Sequence, residues 1–497
     1  MTTEGTYPCY GGGVSHWCDQ LIRRLPDYDF DVLAITNSPH QRPIYSVPSN
    51  VRDQQMLPLW GTEEAGWQDQ LISAALQKRL PEGTWPEGEF IRSFERTVMG
   101  ILDPASDPRD LADGLCGLWR YFRIHDYAQT MSSLAAWDAF RRLMFQHFPG
   151  GASLTMGEIT SCMRWLLRYL AITSVPLRDV QIVHASMAGL AGVPGVLHKR
   201  IRGTPFVLTE HGIYLREMYL TLANSPYPVA CRRFLLRLTD ALVRMNYHHA
   251  DVVTSLCEFN RKWQARLGGD RAIIATPNGA DPEVFHPREG GAAESQPPVI
   301  LTLARIFRLK GVDLLLKAAP RVRAAIPGLK IRILGDIADA AYFDECREIV
   351  RANALEDCVE FGKTSHPARA LRQATVACLP SVSEAFPFAL VEAMLCGCPV
   401  VASNVGGVAE VLGGTGVIFP SLDFEALADS LIFMLEQNAE GVARRAAFGA
   451  AARKRALAHY TLEKSIGRFA ATYAAVKERN VHSLDNIETQ FAAGATA

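Results

Sequence analysis

The chain has 497 residues, enough for two to four domains and too many for one small fold. Hydrophobic residues make up 48% and charged residues 21%, the balance of a soluble globular protein, which excludes bulk disorder. Lys and Arg total 51 against 52 Asp and Glu, so there is no basic excess and no nucleic-acid partner is expected.

The 11 cysteines are scattered, and Cys396 and Cys398 stand too close for the usual zinc spacing. They read as small core hydrophobes in a reducing compartment. Residues 1–10 have neither a basic start nor an apolar stretch, so no signal peptide is expected. No run approaches the ~18 apolar residues of a membrane span. The expected location is cytoplasmic, with any membrane association peripheral.

In chain order, only Met1 to Glu4 precede the first turn, so the first strand is either very short or begins upstream. Gly11, Gly12 and Gly13 follow, then an amphipathic helix over 14–25 with Trp17, Leu21 and Ile22 at 3–4 spacing, then a strand over 31–36. Strand, glycine turn, helix and strand make half of a dinucleotide-type domain. Residues 61–175 read as a helical insertion, with apolar periodicity at 76–80, 115–124, 134–148 and 162–172 and turn signals at 81–88 and 103–108. Strands are predicted at 180–184, 205–209, 252–255 and 272–275, and a helix at 232–247. Residues 289–298 (EGGAAESQPP) are the linker candidate.

Beyond it the alternation restarts. Strands are predicted at 299–303, 330–334, 359–361, 376–379 and 400–403, and helices at 312–325, 340–351, 367–373 and 387–396. That spacing predicts a parallel doubly wound sheet. The fold class is therefore α/β, with two Rossmann-like domains. The first covers 1–288 and is completed by a C-terminal helix at 461–480, the second covers 298–460, and 481–497 form a weakly patterned tail.

The sharpest chemical signal is 379–410, LPSVSEAFPFALVEAMLCGCPVVASNVGGVAE. Pro387 suits the first position of a helix, which leaves Glu384 in the loop and Glu392 about 7.5 Å further along the axis. Two carboxylates so placed, after a parallel strand, could bracket a polyhydroxyl ligand whose anionic part lies at the helix N-terminus. Two surface glutamates are the plainer alternative. Arg305 and Lys310 follow the first strand of the second domain and could converge on a diphosphate, or be two solvated cations. The glycines at 11–13 suit a phosphate or a simple turn. Glu210 and His211 end one strand of the first domain, facing any interdomain cleft, and His184 ends another and could line the same cleft; a structural histidine is the plainer alternative. Gly406 and Gly407 permit close backbone approach, with Glu410 at the same edge. Asp29 and Asp31 spell a D-x-D metal motif but enter a strand far from the glutamates, and no metal site is expected.

Taken together, Arg305 with Lys310, Glu384 with Glu392, and the V-G-G-x-x-Glu410 pattern resemble the donor site of the retaining glycosyltransferases of family 4, which have the two-domain GT-B fold. Pro277, Asn278, Gly279, Ala280 and Asp281 resemble that family's interdomain segment. EGTYPCYGGGVSHWCDQLI at 4–22 and TEHGIYLRE at 209–217 resemble its Pel exopolysaccharide branch. The resemblance implies a nucleotide-sugar donor, UDP-linked, without a metal or other cofactor. It puts Arg305 and Lys310 on the diphosphate, Glu384 on the donor sugar, Glu392 on the ribose, and Ala385 and Phe386 beside them. It puts His211 at the reacting sugar and the loop of Gly11, Gly12 and Gly13 over the phosphates. It implies a polysaccharide acceptor, an inner-membrane synthase and export complex as partner, and front-face attack with the acceptor proton passing to the departing phosphate. Family members commonly have Gly where Ala385 and Pro387 stand, and Pro387 offers no N–H. Two other classes fit the same architecture: a nucleotide-sugar epimerase or hydrolase, and a non-catalytic nucleotide-sugar sensor.

Overall fold

The computed structural model describes residues 1–61, 87–223, 225–268, 273–288 and 297–478. The expected helix at 76–80, most of the turn at 81–88, most of the linker and the tail lie outside the described residues. The chain divides into two compact units: the first holds Met1–Ser255, Arg261–Ile274 and the chain from Ala470, the second Leu256–Asn260 and Ala275–Phe469.

The sheet of the first unit contains β1 (Thr2–Glu4), β2 (Phe30–Thr36), β3 (Val51–Pro58), β4 (Val183–Ala185), β5 (Phe206–Glu210), β6 (Val252–Ser255) and β7 (Ile273–Ala275), ordered β3-β2-β1-β4-β5-β6-β7. The second contains β8 (Val299–Leu303), β9 (Lys330–Leu334), β10 (Val359–Gly362), β11 (Val376–Leu379), β12 (Val400–Ser403) and β13 (Val417–Phe419), ordered β10-β9-β8-β11-β12-β13. From β3 to β6 in the first sheet and throughout the second the strands pair in parallel, as the β/α alternation requires. Each order reverses direction once, between β1 and β4 and between β8 and β11. The crevice outside the carboxyl ends at such a reversal is where doubly wound sheets bind ligands.

β1 has only three residues, yet it lies between β2 and β4, with Thr2, Thr3 and Glu4 opposite Leu33, Ala34 and Ile35. A cavity of about 600 Å³ lies at the amino end of this sheet, among Asp29, Arg52, Asp179 and Tyr473, and so at the end opposite Glu4 and His211. β3 was absent from the expectations. It is an edge strand, VRDQQMLP, whose polar run has no apolar alternation to announce it.

The described part of the insertion is helical, as expected. Asp107 caps the helix Pro108–Tyr121 through the Arg109 amide, with Pro108 in its first turn. Thr155 and Glu158 close a capping box on Met156–Leu170. The apolar stripes of these helices, with Phe94, Leu118, Phe140 and Leu166, share one core with Leu208 of the sheet and Phe234. All eleven cysteines are buried and none is in a disulfide.

Candidate functional site

In the second unit, the loops after β8 and β11 are joined by backbone. Val382 donates to the Leu309 carbonyl at 2.9 Å. Gly311, at φ 61°, opens the helix Val312–Ala325 so close to Pro380 that a Cβ would lie 2.0 Å from its carbonyl oxygen. This close pairing brings Lys310 to Glu384: the two form an ion pair, and the Ser381 hydroxyl donates to the same carboxylate oxygen, Oε1, at 2.8 Å. Arg305 is exposed and has no carboxylate partner among the described residues. Its guanidinium lies 5.4 Å from the Phe307 ring centre, and the Lys310 ammonium 5.9 Å from the same ring. One aromatic ring thus orients both cations.

The helix after β11 is Phe388–Leu395, with Pro387 as its N-cap rather than its first residue. Glu392 is the fifth helical residue, half-buried, and desolvation raises its carboxyl to about 7. Ala385 is half-buried and its carbonyl accepts from Gly407 at 2.9 Å. Gly406, at φ 54°, would place a Cβ 1.6 Å from the Glu384 carbonyl oxygen, so the close approach these glycines permit is to the backbone that carries Glu384.

Phe386 is buried, its ring edge-on to Tyr460 at 5.6 Å, so its ring belongs to the core and its main chain is what remains for a ligand. Glu410 accepts from the Glu258 amide at 2.7 Å, the first residue of the helix Glu258–Gly268, where its charge suits the helix dipole. Asn278 is buried, and its Oδ1 has no hydrogen-bond partner among the described residues. It precedes Gly279 and Ala280, which pack on Thr461 and Tyr460.

In the first unit, Gly12 is the N-cap of the helix Gly13–Arg24, and Gly11 precedes it. That helix buries Trp17, whose indole meets His211 at 4.5 Å and His184 at 5.5 Å, both edge-on. His184 is fully engaged: Nδ1 contacts the Tyr473 hydroxyl at 2.5 Å and Nε2 the Thr209 hydroxyl at 2.6 Å, which in turn meets Thr254. Burial holds both rings neutral, His184 well below its usual value and His211 down to about 3. His211 Nε2 has no hydrogen-bond partner among the described residues, so of the two histidines it is the one with an uncommitted nitrogen.

Glu210 is buried, and desolvation raises it to about 8. It accepts from the Tyr214 amide at 2.8 Å and so anchors the helix Tyr214–Ala223. Gln264 Nε2 lies 3.4 Å from its other oxygen, while Gln264 Oε1 has no partner among the described residues. The opposite amide orientation would let a protonated Glu210 donate to that oxygen. Asp31 pairs with Arg52 at 3.2 Å, Asp29 is exposed, and among the described residues no three metal-ligating side chains converge.

Sequence reasoning passed over Ser381, Phe307, Glu4 and Tyr473. Glu4 was the one within reach, because it ends the strand at which the first sheet reverses.

Residues 1–272 match a family model described as a domain of unknown function, DUF3492, and residues 287–455 match that of glycosyl transferases group 1. The D-inositol 3-phosphate glycosyltransferase of Arthrobacter sp. (strain FB24) is 32% identical over 247 residues, which cover 46% of this chain and 56% of that protein. The phosphatidylinositol N-acetylglucosaminyltransferase gpi3 subunit of Schizosaccharomyces pombe is 28% identical over 258 residues, covering 51% and 53%. The chain thus spans little more than half the length of these two relatives. Among solved structures, sucrose-phosphate synthase of Thermosynechococcus elongatus superposes with a TM-score of 0.58 at 18% identity, over 96% of this chain and 99% of that one. Anabaena HepE in complex with UDP and glucose gives 0.56 at 16%, over 96% and 100%. At these identities the likeness is one of fold, the two-sheet GT-B architecture.

Proposed function

We propose that this chain, which belongs to the DUF3492 family, is a sugar transferase. It takes a hexose or N-acetylhexosamine from a UDP-linked donor and passes it, with retention of configuration, to a growing exopolysaccharide of the Pel type. The observation that carries this reading is the cluster of Lys310, Glu384 and Ser381, with Arg305 and Glu392, at the reversal between β8 and β11. Two cations beside one aromatic ring suit a diphosphate, and two carboxylates suit the hydroxyls on either side of it.

The leaving diphosphate gains negative charge as the glycosidic bond breaks. Arg305 and Lys310 supply the opposing charge, and the acceptor proton passes to a phosphate oxygen. Glu384 and Ser381 hold sugar hydroxyls, and Glu392 those of the ribose. His211 supplies a neutral nitrogen to a sugar hydroxyl. The epimerase alternative needs an acid at the sugar carbon near neutral pH. Neither His184 nor His211 provides one, because burial keeps both deprotonated.

No described helix is long and apolar enough to cross a membrane. The proposed polymer must nonetheless be exported, so we place the enzyme on an inner-membrane synthase and export complex, docked through the helical insertion. The deciding experiment incubates the chain with UDP-hexoses and UDP-N-acetylhexosamines, with and without oligosaccharide, and follows products by NMR. UDP release that depends on acceptor is expected. Epimerised or hydrolysed sugar without acceptor overturns the reading, and binding without turnover leaves a sensor.

A further inference from the structure

On the first unit, a row of aromatic rings stands apart from the residues assigned above. Trp60 follows β3 and its amide donates to the Asn37 carbonyl at 3.1 Å, which puts it at the carboxyl end of that edge strand. Trp165, from the helix Met156–Leu170, meets it edge-on with ring centres 4.7 Å apart. Trp165 also meets Tyr227 at 5.7 Å and Tyr169 at 6.1 Å. Tyr169 lies beside Tyr214, whose hydroxyl donates to Glu4 at 2.7 Å. The row therefore runs from the edge of the sheet to its reversal point at β1. The Arg168 guanidinium lies 3.9 Å from the Trp60 ring centre.

We infer that this row is a binding track for a glycan chain, with the chain leading toward Glu4. The inference rests on the sugar-transferase reading and adds a stretch of several sugar units to it, contributed by the insertion. Pyranose rings present C–H faces that pack on the electron-rich faces of aromatic rings, and their hydroxyl edges need acceptors and donors. Here Trp165 and Trp60 stay half-buried and Tyr227 is 40% exposed, so the row keeps apolar ring surface open to solvent. The polar atoms sit alongside: the Arg168 guanidinium at one end, and the Tyr214 hydroxyl and Glu4 carboxylate at the other. Trp, Tyr and Arg also mark protein interfaces. What favours a glycan is that the row ends on a carboxylate at the carboxyl end of the central strands, two strands from His211.

The test titrates the full chain with glucose and N-acetylglucosamine oligosaccharides of increasing length, from monosaccharide to hexasaccharide, by calorimetry. Affinity is expected to rise with length in one of the two series. Tyr227→Ala should weaken the hexasaccharide roughly three- to tenfold while leaving the monosaccharide unchanged, and Tyr227→Phe should restore it. Trp165→Phe should weaken it similarly, with circular dichroism and the thermal melt of the whole chain as the check that both variants fold. A hexasaccharide that binds no tighter than its monosaccharide in both series overturns the inference. So do variants that bind the hexasaccharide as wild type does. If those variants instead lose co-sedimentation with co-expressed membrane partners, the row is a protein-docking face and the inference falls. Length-dependent binding without UDP-sugar turnover keeps the track and removes the transferase reading, so the two fail separately.

Discussion

Lys310 and Glu384 neutralise one another through Oε1, the oxygen that also accepts the Ser381 hydroxyl, in a pair whose side chains are only 22% and 11% exposed. An anionic ligand that recruits Lys310 must draw it from this carboxylate. Losing one member leaves the other half-buried charge uncompensated, so the two should not behave alike on substitution.

Lys310→Ala should weaken UDP binding by about 10- to 100-fold, the loss of charge-assisted bonds worth roughly 1.5–3 kcal/mol, and Arg305→Ala likewise. Glu384→Ala should hold or raise UDP affinity, because Lys310 is released, while transfer falls. Calorimetry with UDP checks all three. Unchanged affinity in both cation variants, or a tenfold loss in Glu384→Ala, counts against the assignment.

Glu392 titrates at about 7, so it is mostly protonated at pH 6 and mostly ionised at pH 8. The ionised form accepts hydroxyl hydrogen bonds better. Affinity for UDP-glucose, whose diphosphate does not titrate in this range, should rise by up to roughly tenfold between those values. Glu392→Gln should be flat. A wild-type profile as flat as the variant's removes Glu392 from the ribose.

Glu210 carries a stability signature of the opposite kind. The folded carboxyl titrates at about 8 against 4.5 as a free side chain, with burial the main cause. Below pH 4.5 both states hold the proton. As pH rises toward 8 the unfolded chain gives it up while the fold keeps it, so this residue erodes stability across that window and no further above it. Thermal melts at pH 5 and pH 8 should show a larger fall in Tm for wild type than for Glu210→Gln. Equal falls would mean that the carboxyl is ionised in the fold.

Activity should persist in excess EDTA, since Arg305 and Lys310 are proposed to carry the diphosphate charge. Loss on chelation, restored by Mg²⁺ or Mn²⁺, would return attention to carboxylates such as Asp29.

The chain should pellet with membranes only when its partner proteins are co-expressed. Exposed substitutions on the insertion, for example Leu134→Glu at a residue 73% exposed, should abolish that and spare UDP binding. Variants at Leu134 that keep co-sedimentation and lose acceptor use would place that face of the insertion, too, with the acceptor and leave docking to another surface.

Much of the second unit was legible because its central strands are short apolar runs that alternate with helices at regular spacing, although the helices Phe424–Leu435 and Ala439–His459 were not anticipated. β8 and β11 fall where the pattern places them. β3 was not legible, because an edge strand need not alternate, nor was the short β13 among its glycines. The candidate residues were found as types at strand ends, but their partners depend on folding. Lys310 meets Glu384 where the Val382 amide bonds to Leu309 and Gly311 packs on Pro380, pairings that exist only in the fold. Phe386 and Glu410 read as ligand-facing, whereas folding commits the ring to Tyr460 and the carboxylate to the Glu258 amide.

The contact between Gly406 and the Glu384 carbonyl has a practical consequence for mutational scanning. A saturation screen scored on sugar transfer would rank position 406 beside Lys310 and Glu384, because any side chain there displaces the loop that carries Glu384. Its intolerance would be sterically transmitted and would mark no ligand contact. At that position a screen reads the fit between two loops, while at Lys310 it reads charge, so a chemically conservative library separates them: Arg in place of Lys310 retains part of the signal, and no replacement at 406 does.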